Sequence, residues 1–383
     1  MNEGFGSVLI VGGGISGIQA ALDVANQGFK VYLVEKTPSI GGSMARLDKT
    51  FPTNDCSICI EAPKMVDILS HPNIELLTNC EVKDVKGSVG NFKVKIVKKP
   101  RYVLDEQCNG CGRCEEVCIV AVPSEFDLAT GPRKAIYVPF RQATPNIYTL
   151  DMDNCRKLGG GCRACVGVCR DEVGRNAIDF WQTPREFEVN VGGIIVANGF
   201  NIVEPRSRIE YGYGIYKNVM TALQYERILS AVGPTMGRIV RPSDGREAGK
   251  IAWIQCVMSR DDKKGVPYCS RVCCTYATKQ AIITKEHDPN IETYVFYIDQ
   301  RNYGKGFEDY HRRAEEIGVR YIRCRPGEVI ENSKTGNLLI TYEDIETSEI
   351  NTMEVDMLIL CSAIIPSEDN RKLSELLGIN LDR

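Results

Sequence analysis

Histidine is nearly missing from this chain of 383 residues, which has only His71, His287 and His311. With so few imidazoles, mixed Cys/His zinc sites are not expected. Long hydrophobic runs are missing too: no apolar stretch reaches the roughly 18 residues that a membrane-spanning helix needs. Neither sign of charge is in excess. The 47 Lys and Arg stand against 50 Asp and Glu, a net charge of −3, which offers no basic surface to nucleic acid or anionic lipid. The opening MNEGFGSVLIV lacks the basic start and apolar core of a signal peptide and enters a strand almost at once. A soluble cytoplasmic protein is expected, with no membrane span and no nucleic-acid partner.

Cysteine is the opposite case, with 17 in the chain. Secreted disulfide scaffolds are short and loop-rich, whereas this chain has the length for two or three domains and a substantial core. Thiolate-ligated iron–sulfur clusters are the destination left for so much sulfur and so little histidine.

The chain is organised around residues 8–42, VLIVGGGISGIQAALDVANQGFKVYLVEKTPSIGG. A β-branched run at 8–11 reads as a buried strand, helix-period apolar residues follow at 18–25, and 31–34 reads as a second strand ending at Glu35. Gly12, Gly14 and Gly17 form G-x-G-x-x-G in the strand–turn–helix context that makes this pattern a dinucleotide fingerprint. Gly12 permits the tight turn, Gly14 lets backbone approach a pyrophosphate, and Gly17 lets helix and strand pack closely. The helix start, with Ser16 in its first turn, holds phosphate through free N–H groups and its dipole. Glu35 is placed to accept from a ribose, with Lys36 beside it. The pair Gly41-Gly42 resembles the extended fingerprint of two-dinucleotide-domain flavoproteins, so the expected cofactor is FAD. Residues 192–200, GGIIVANGF, resemble the strand and turn that close such a domain, which adds Ala197, Asn198 and Gly199 to the expected cofactor contacts.

Cys108, Cys111, Cys114 and Cys118 follow C-x2-C-x2-C-x3-C, the bacterial ferredoxin spacing for a [4Fe–4S] cluster. Cys155, Cys162, Cys165 and Cys169 repeat it with a wider first gap, RKLGGG. In two-cluster ferredoxins each cluster takes three cysteines from one run and the last from the other. That pairs Cys169 with the first three of run one, and Cys118 with the first three of run two. The usual proline after the fourth cysteine is replaced by Ile119 and Arg170, which touches packing rather than ligation. Cys56 and Cys59 form a C-x-x-C expected in a loop, either a redox pair or a partial cluster site. A short helix is expected from Pro63. Cys80, Cys324 and Cys361 read as buried thiols.

From Lys250 a second α/β unit is expected, with strands at 251–255, 293–299 and 319–323 and helices at 272–287 and 308–317. In two-domain flavoprotein reductases this unit binds NAD(P)H through its own glycine turn. Here the first strand runs instead into QCVMSRDDKKGVPYCSRVCC, with no G-x-G-x-x-G. A late strand at 356–365 is expected to return to the flavin domain. The expected domains are 1–100 and 186–248 for FAD, 101–185 for the ferredoxin-like insert, 249–350 for the nicotinamide-domain-like unit, and 351–383 for the return.

LDKTFPTNDCSICIEAPKM (47–65), the first ferredoxin run, and WIQCVMSRDDKKGVPYCSRVCCTYATKQA (253–281) together resemble the A-type component of heterodisulfide reductase and its homologues, over essentially the whole chain. The resemblance implies an α/β, thioredoxin-reductase-like two-dinucleotide-domain flavoprotein with an inserted two-cluster ferredoxin-like α+β domain. It also implies that Cys256, Cys269, Cys273 and Cys274 hold a further [4Fe–4S] cluster, about three in all. Lys279, inside the same motif, is the expected catalytic charge, placed to act on the flavin ring; the plainer reading is a solvated helix lysine. The implied function is that of an electron-transfer oxidoreductase component, in a family that uses its flavin to split electron pairs. The implied setting is anaerobic, as in methanogenesis. Implied partners are B- and C-type subunits, a hydrogenase or formate dehydrogenase input subunit, ferredoxin, and a second copy of the chain. Two alternatives stand beside it. Related proteins serve sulfate respiration or anaerobic aromatic degradation, and a stand-alone flavin disulfide reductase would use Cys56 and Cys59. Longer family members carry an N-terminal domain and a C-terminal ferredoxin domain, and clusters built from those parts are not expected here.

Overall fold

The structure, a computed structural model, describes residues 6–345 and 347–382. Two compact units divide the chain. The first gathers the residues up to Arg46, Ser57–Gly199 and those from Ser367 on; the second gathers Leu47–Cys56 and Phe200–Pro366.

The first unit is built on a parallel sheet in the order Gly193–Val196, Ser7–Val11, Lys30–Val34, Ile74–Leu77. Successive side chains of a strand point to opposite faces. Ile10 therefore joins Ile18, Leu33, Ile40, Met65 and Ile68 under the helices Ile15–Asn26 and Ser57–Ser70. Leu9 joins Val82, Val94, Ile96 and Val191 on the other side. That side is covered by an antiparallel sheet of Cys80–Ser88, Asn91–Lys98 and Arg185–Val191. Both faces of the central strand are covered, which is why its sequence is an unbroken apolar run.

Between Lys98 and Arg185 regular structure is sparse: two short antiparallel ribbons, the one-turn helices Arg113–Glu116, Lys157–Gly160 and Ala164–Gly167, and the π-helical turn Val168–Glu172. A small core of Val103, Ile136, Tyr148, Leu150, Val168 and Ile178 serves this segment. Arg101, buried at its start, donates to Pro38 O at 3.0 Å, Thr78 Oγ1 at 2.8 Å and Ile147 O at 3.0 Å. The guanidinium thus fastens the segment to the loops after Lys30–Val34 and Ile74–Leu77. A planar group with five donors suits three separated acceptors, and leaving them unpaired in a buried place would cost more than the bonds themselves return.

The second unit has a five-stranded parallel sheet in the order Val219–Thr221, Met357–Ser362, Lys250–Val257, Glu292–Tyr297, Val319–Arg323. Helices Cys273–His287 and Phe307–Glu316 pack on it, and Glu328–Glu331, Leu338–Asp344 and Glu349–Val355 form an antiparallel sheet. Two expectations are corrected here. The late strand does not return to the flavin domain: Met357–Ser362 lies inside the second unit's sheet, paired with Lys250–Val257, and the chain re-enters the first unit only at Ser367. A buried apolar strand such as MLILCS fits either sheet, and only its long-range pairing decides. The helix expected from Pro63 starts instead at Ser57, with Pro63 inside it. Proline removes one interior hydrogen bond, and the buried face formed by Met65 and Ile68 carries the helix through. Among the described residues no helix is long and apolar enough to cross a membrane.

Candidate flavin and iron–sulfur sites

Gly12 has φ +108°, and a Cβ there would stand 2.3 Å from Ala197 O; one on Gly17 would stand 1.8 Å from Gly12 O. Neither position tolerates a side chain. Gly14 has open space on its Cβ side apart from Gly42 Cα at 3.9 Å. The second glycine pair comes back to the first: Gly41 N donates to Gly13 O at 2.7 Å, and Gly14 and Gly41 form a bridge. The helix Ile15–Asn26 begins at Gly14 with no side-chain cap and no acidic residue in its first turn, so its leading N–H groups are left to an anion. Ser16, in that turn, is exposed. Glu35 is buried and accepts from Gly13 N at 2.7 Å and Thr37 N at 2.8 Å, which leaves part of a carboxylate's capacity of about four acceptor positions. Ala197 N donates to Val11 O, continuing the sheet, and Asn198 Nδ2 donates to Asn370 Oδ1 at 2.6 Å. Lys36 is ion-paired with Asp369 at 2.5 Å. Gly199 takes φ +71°. The cradle, shaped by positions where a Cβ would clash, fits a dinucleotide.

One helical turn ahead of Met65, on the buried face of Ser57–Ser70, lies Glu61. It is 0% exposed, and neither carboxylate oxygen has a hydrogen-bond partner. Burial alone pushes its carboxyl up to about 8. Ser57, a further turn back, is also buried with its hydroxyl unpartnered. Cys56 and Cys59 are disulfide-bonded. The expected loop around them is corrected, because Cys59 falls in the first turn of this helix.

In the inserted segment one pocket is lined by Cys108, Cys111, Cys114 and Cys169, with Tyr148, Val103 and Ile178 around them. Gly112, at φ +84°, turns the chain between the second and third of these thiols. Burial, then the neighbouring Cys108, Cys165 and Cys111, raises the Cys114 thiol. Cys165 is pushed up to about 11 by burial and by Cys155, Cys162 and Cys118. The fourth cysteine of each run therefore stands with the first three of the other. Among the described residues no group of three or more Cys, His, Asp or Glu side chains could hold a single metal ion. A four-iron cubane is larger than one ion and needs its thiolates further apart. A cysteine-lined pocket is the donor set such a cluster requires.

In the second unit the strand Lys250–Val257 shifts register against Met357–Ser362 between Ile254 and Val257. Cys256 sits in that irregularity with φ +58°, and Met258 follows with φ +64°. Bulges re-aim side chains and concentrate near functional sites. The Cys256 thiol meets Cys273, at the start of the helix Cys273–His287, and Cys273 meets Cys274. The bond from Cys273, helped by Arg260, brings Cys256 down to about 7; Cys274 is lowered chiefly by Cys273. Cys269 lies in the intervening loop, its sulfur accepting from Arg271 N at 3.3 Å, and the described contacts do not bring it to the other three. Cys361, fully buried in Met357–Ser362, lies close enough to Cys274 and Cys256 to feel their charge, and Tyr276 hydrogen-bonds it. By sequence alone Cys361 reads as a plain buried thiol. Its place beside the cysteine group depends on sheet order and has no local signal. Cys80 and Cys324 are buried free thiols, as expected.

Lys279 is not a solvated helix lysine. It is 1% exposed, pairs with Glu226 at 2.5 Å and donates to Lys49 O at 2.9 Å. Glu226 also accepts from Asp48 N at 3.0 Å and Gln280 Nε2 at 2.6 Å, while Gln280 Oε1 accepts from Trp253 Nε1 at 3.0 Å. Thr221 caps the helix Ala222–Leu229 reciprocally with Gln224 and so fixes the turn that aims Glu226 inward. A buried pair with this many supporting bonds meets the condition under which two charges survive desolvation.

Comparison with known proteins agrees with both cofactors. A family model described as FAD dependent oxidoreductase matches residues 7–53, and one described as 4Fe-4S dicluster domain matches 107–173. The A-type iron-sulfur subunit of CoB–CoM heterodisulfide reductase from Methanocaldococcus jannaschii is 51% identical over 376 residues, 98% of this chain and 56% of that protein. A Methanopyrus kandleri protein of the same description is 52% identical over 379 residues, again 98% of this chain and 56% of that protein. The chain is a homologue of the A-type heterodisulfide reductase subunits. It spans about half the length of these curated relatives. In Methanothermobacter thermautotrophicus the relative is the A-type subunit of an H2:CoB–CoM heterodisulfide, ferredoxin reductase, at 47% identity over 97% of this chain and 55% of that protein. FAD and [4Fe–4S] clusters are the cofactors that the two matched models fit in this heterodisulfide reductase homologue. Among solved structures a T. acidophilum thioredoxin reductase aligns with 99% of this chain and 83% of that one, at 12% identity and a TM-score of 0.47. That score is too low to assign a fold, which rests instead on the parallel sheets and on the two matched models.

Proposed function

We propose that this chain is the FAD- and iron–sulfur-bearing electron-transfer part of a heterodisulfide-reductase-like oxidoreductase. The observation that carries the reading is the meeting of Cys108, Cys111, Cys114 and Cys169 around one pocket, within the unit that also holds the dinucleotide cradle. FAD takes electrons in pairs or singly and a [4Fe–4S] cluster takes one at a time, so the chemistry belongs to the cofactors. The protein binds, orients and tunes them. Gly12, Gly14 and Gly17 admit the phosphates, Glu35 orients the ribose, and the cysteines set cluster position. Lys279 supplies a buried positive charge whose counter-ion is Glu226.

The finer reading follows the relatives' names: electrons entering from a hydrogenase- or formate-linked subunit would leave toward a heterodisulfide and toward ferredoxin, with splitting at the flavin. B- and C-type subunits and a second copy of the chain would complete the assembly. Anaerobic mixing of the reconstituted chain with reduced ferredoxin tests the coarser claim. Flavin and cluster bleaching together is the expected result, and bleaching of neither would overturn it.

A further inference from the structure

A buried carboxyl with two unpartnered oxygens is costly, and so is a buried hydroxyl with none. The helix Ser57–Ser70 carries both, at Glu61 and Ser57, on the face that also carries Met65 and Ile68. The lower part of that face is satisfied. Met65 and Ile68 pack into the apolar core, and a Cβ on Gly41 would stand 3.5 Å from Met65 Sδ. The helix also packs against the turn Met44–Arg46, which follows the Gly41-Gly42 pair after Ser43. Four residues of helix advance about 6 Å. The two orphaned groups therefore stand one and two turns on from the residue that touches the second glycine loop, along the same face. Polar groups are kept in such places when a ligand supplies their partners. A Leu or Ala would otherwise be the better occupant.

We propose that Glu61 and Ser57 are polar contacts of the FAD site, hydrogen-bonding the bound dinucleotide. FAD carries many donors and acceptors along its length and can satisfy both a carboxyl and a hydroxyl. The inference rests on the FAD reading and names two of its residues outside the glycine fingerprint.

Fluorescence titration of the flavin-free full chain with FAD, alongside thermal unfolding of the same flavin-free protein, tests it. Glu61→Leu fills the space but cannot hydrogen-bond, and should weaken FAD binding about tenfold or more without lowering the melting temperature of the flavin-free form. Glu61→Gln, which keeps the shape and the hydrogen bonding, should bind within about threefold of wild type. Ser57→Ala should lose a smaller factor. A structural role would give the reverse pattern, a lowered melting temperature with unchanged affinity. Wild-type affinity in Glu61→Leu, or equal losses in Glu61→Leu and Glu61→Gln, would overturn the assignment. Failure of the wild-type chain to take up FAD would overturn both the assignment and the cofactor reading beneath it.

Discussion

Replacing Lys279 by Met should destabilise the second unit far more than an ordinary helix substitution. Lys279 and Glu226 are both almost wholly buried and lie 2.5 Å apart. Among the described residues, removing the cation leaves the buried Glu226 carboxylate with Asp48 N and the Gln280 amide as partners. Breaking a buried pair from one side costs about 3–5 kcal/mol, and the two surviving bonds place this case near about 3. With a urea slope of about 2 kcal/mol per molar, the midpoint should fall by about 1.5 M. The second change, Glu226→Gln, removes the orphaned charge while keeping an acceptor, so the double variant should recover most of the loss. A reporter is built in. The chain has two tryptophans; Trp253 is buried and bonded to Gln280, and Trp181 is 78% exposed. In a Trp181→Phe background, emission follows Trp253 alone. A Lys279→Met midpoint within about 0.3 M of wild type, or a double variant no better than the single, would refute the buried-pair argument.

Glu61 gives a pH prediction. Its folded value of about 8 lies above the ordinary value of 4.5, so the flavin-free protein is at full stability below pH 4.5 in this respect and loses stability as pH rises toward 8. At 1.36 kcal/mol per unit the loss is at most about 5 kcal/mol. Glu61→Gln should flatten that fall, and parallel stability–pH curves for variant and wild type would contradict it. NADH and NADPH should not reduce the flavin at a useful rate, because the strand Lys250–Val257 runs into the Cys256 bulge where a glycine turn would be needed; anaerobic stopped-flow showing rapid saturable bleaching would remove that argument. Cys273→Ala should cost about four irons per chain while the two ferredoxin-type clusters and FAD stay; unchanged iron and low-temperature EPR would mean that no third cluster is present.

The parts of this protein that could be read from its sequence are those in which chemistry forces local spacing. A G-x-G-x-x-G after a strand can do little else, since a Cβ at Gly12 or Gly17 would collide with backbone. Ferredoxin spacing likewise ties four cysteines within eleven positions. What escaped is set by contacts distant in the chain. Arg101 reads as one more surface arginine until Pro38, Thr78 and Ile147 close around it. Glu61 sits among charged and apolar residues in a pattern that gives no sign of burial. Met357–Ser362 is an apolar strand whose sheet depends on pairing more than a hundred positions away, with Lys250–Val257; that pairing is also what carries Cys361 to the cysteine group.

The proposed function requires that one chain carry flavin and clusters together. Flavin and iron analysis of the full chain, purified and reconstituted anaerobically, tests it most directly. About one FAD and about twelve irons per chain are expected, falling to about eight when Cys169 is replaced by Ala. Clusters without flavin, flavin without clusters, or an iron content that the Cys169 change leaves untouched would contradict it.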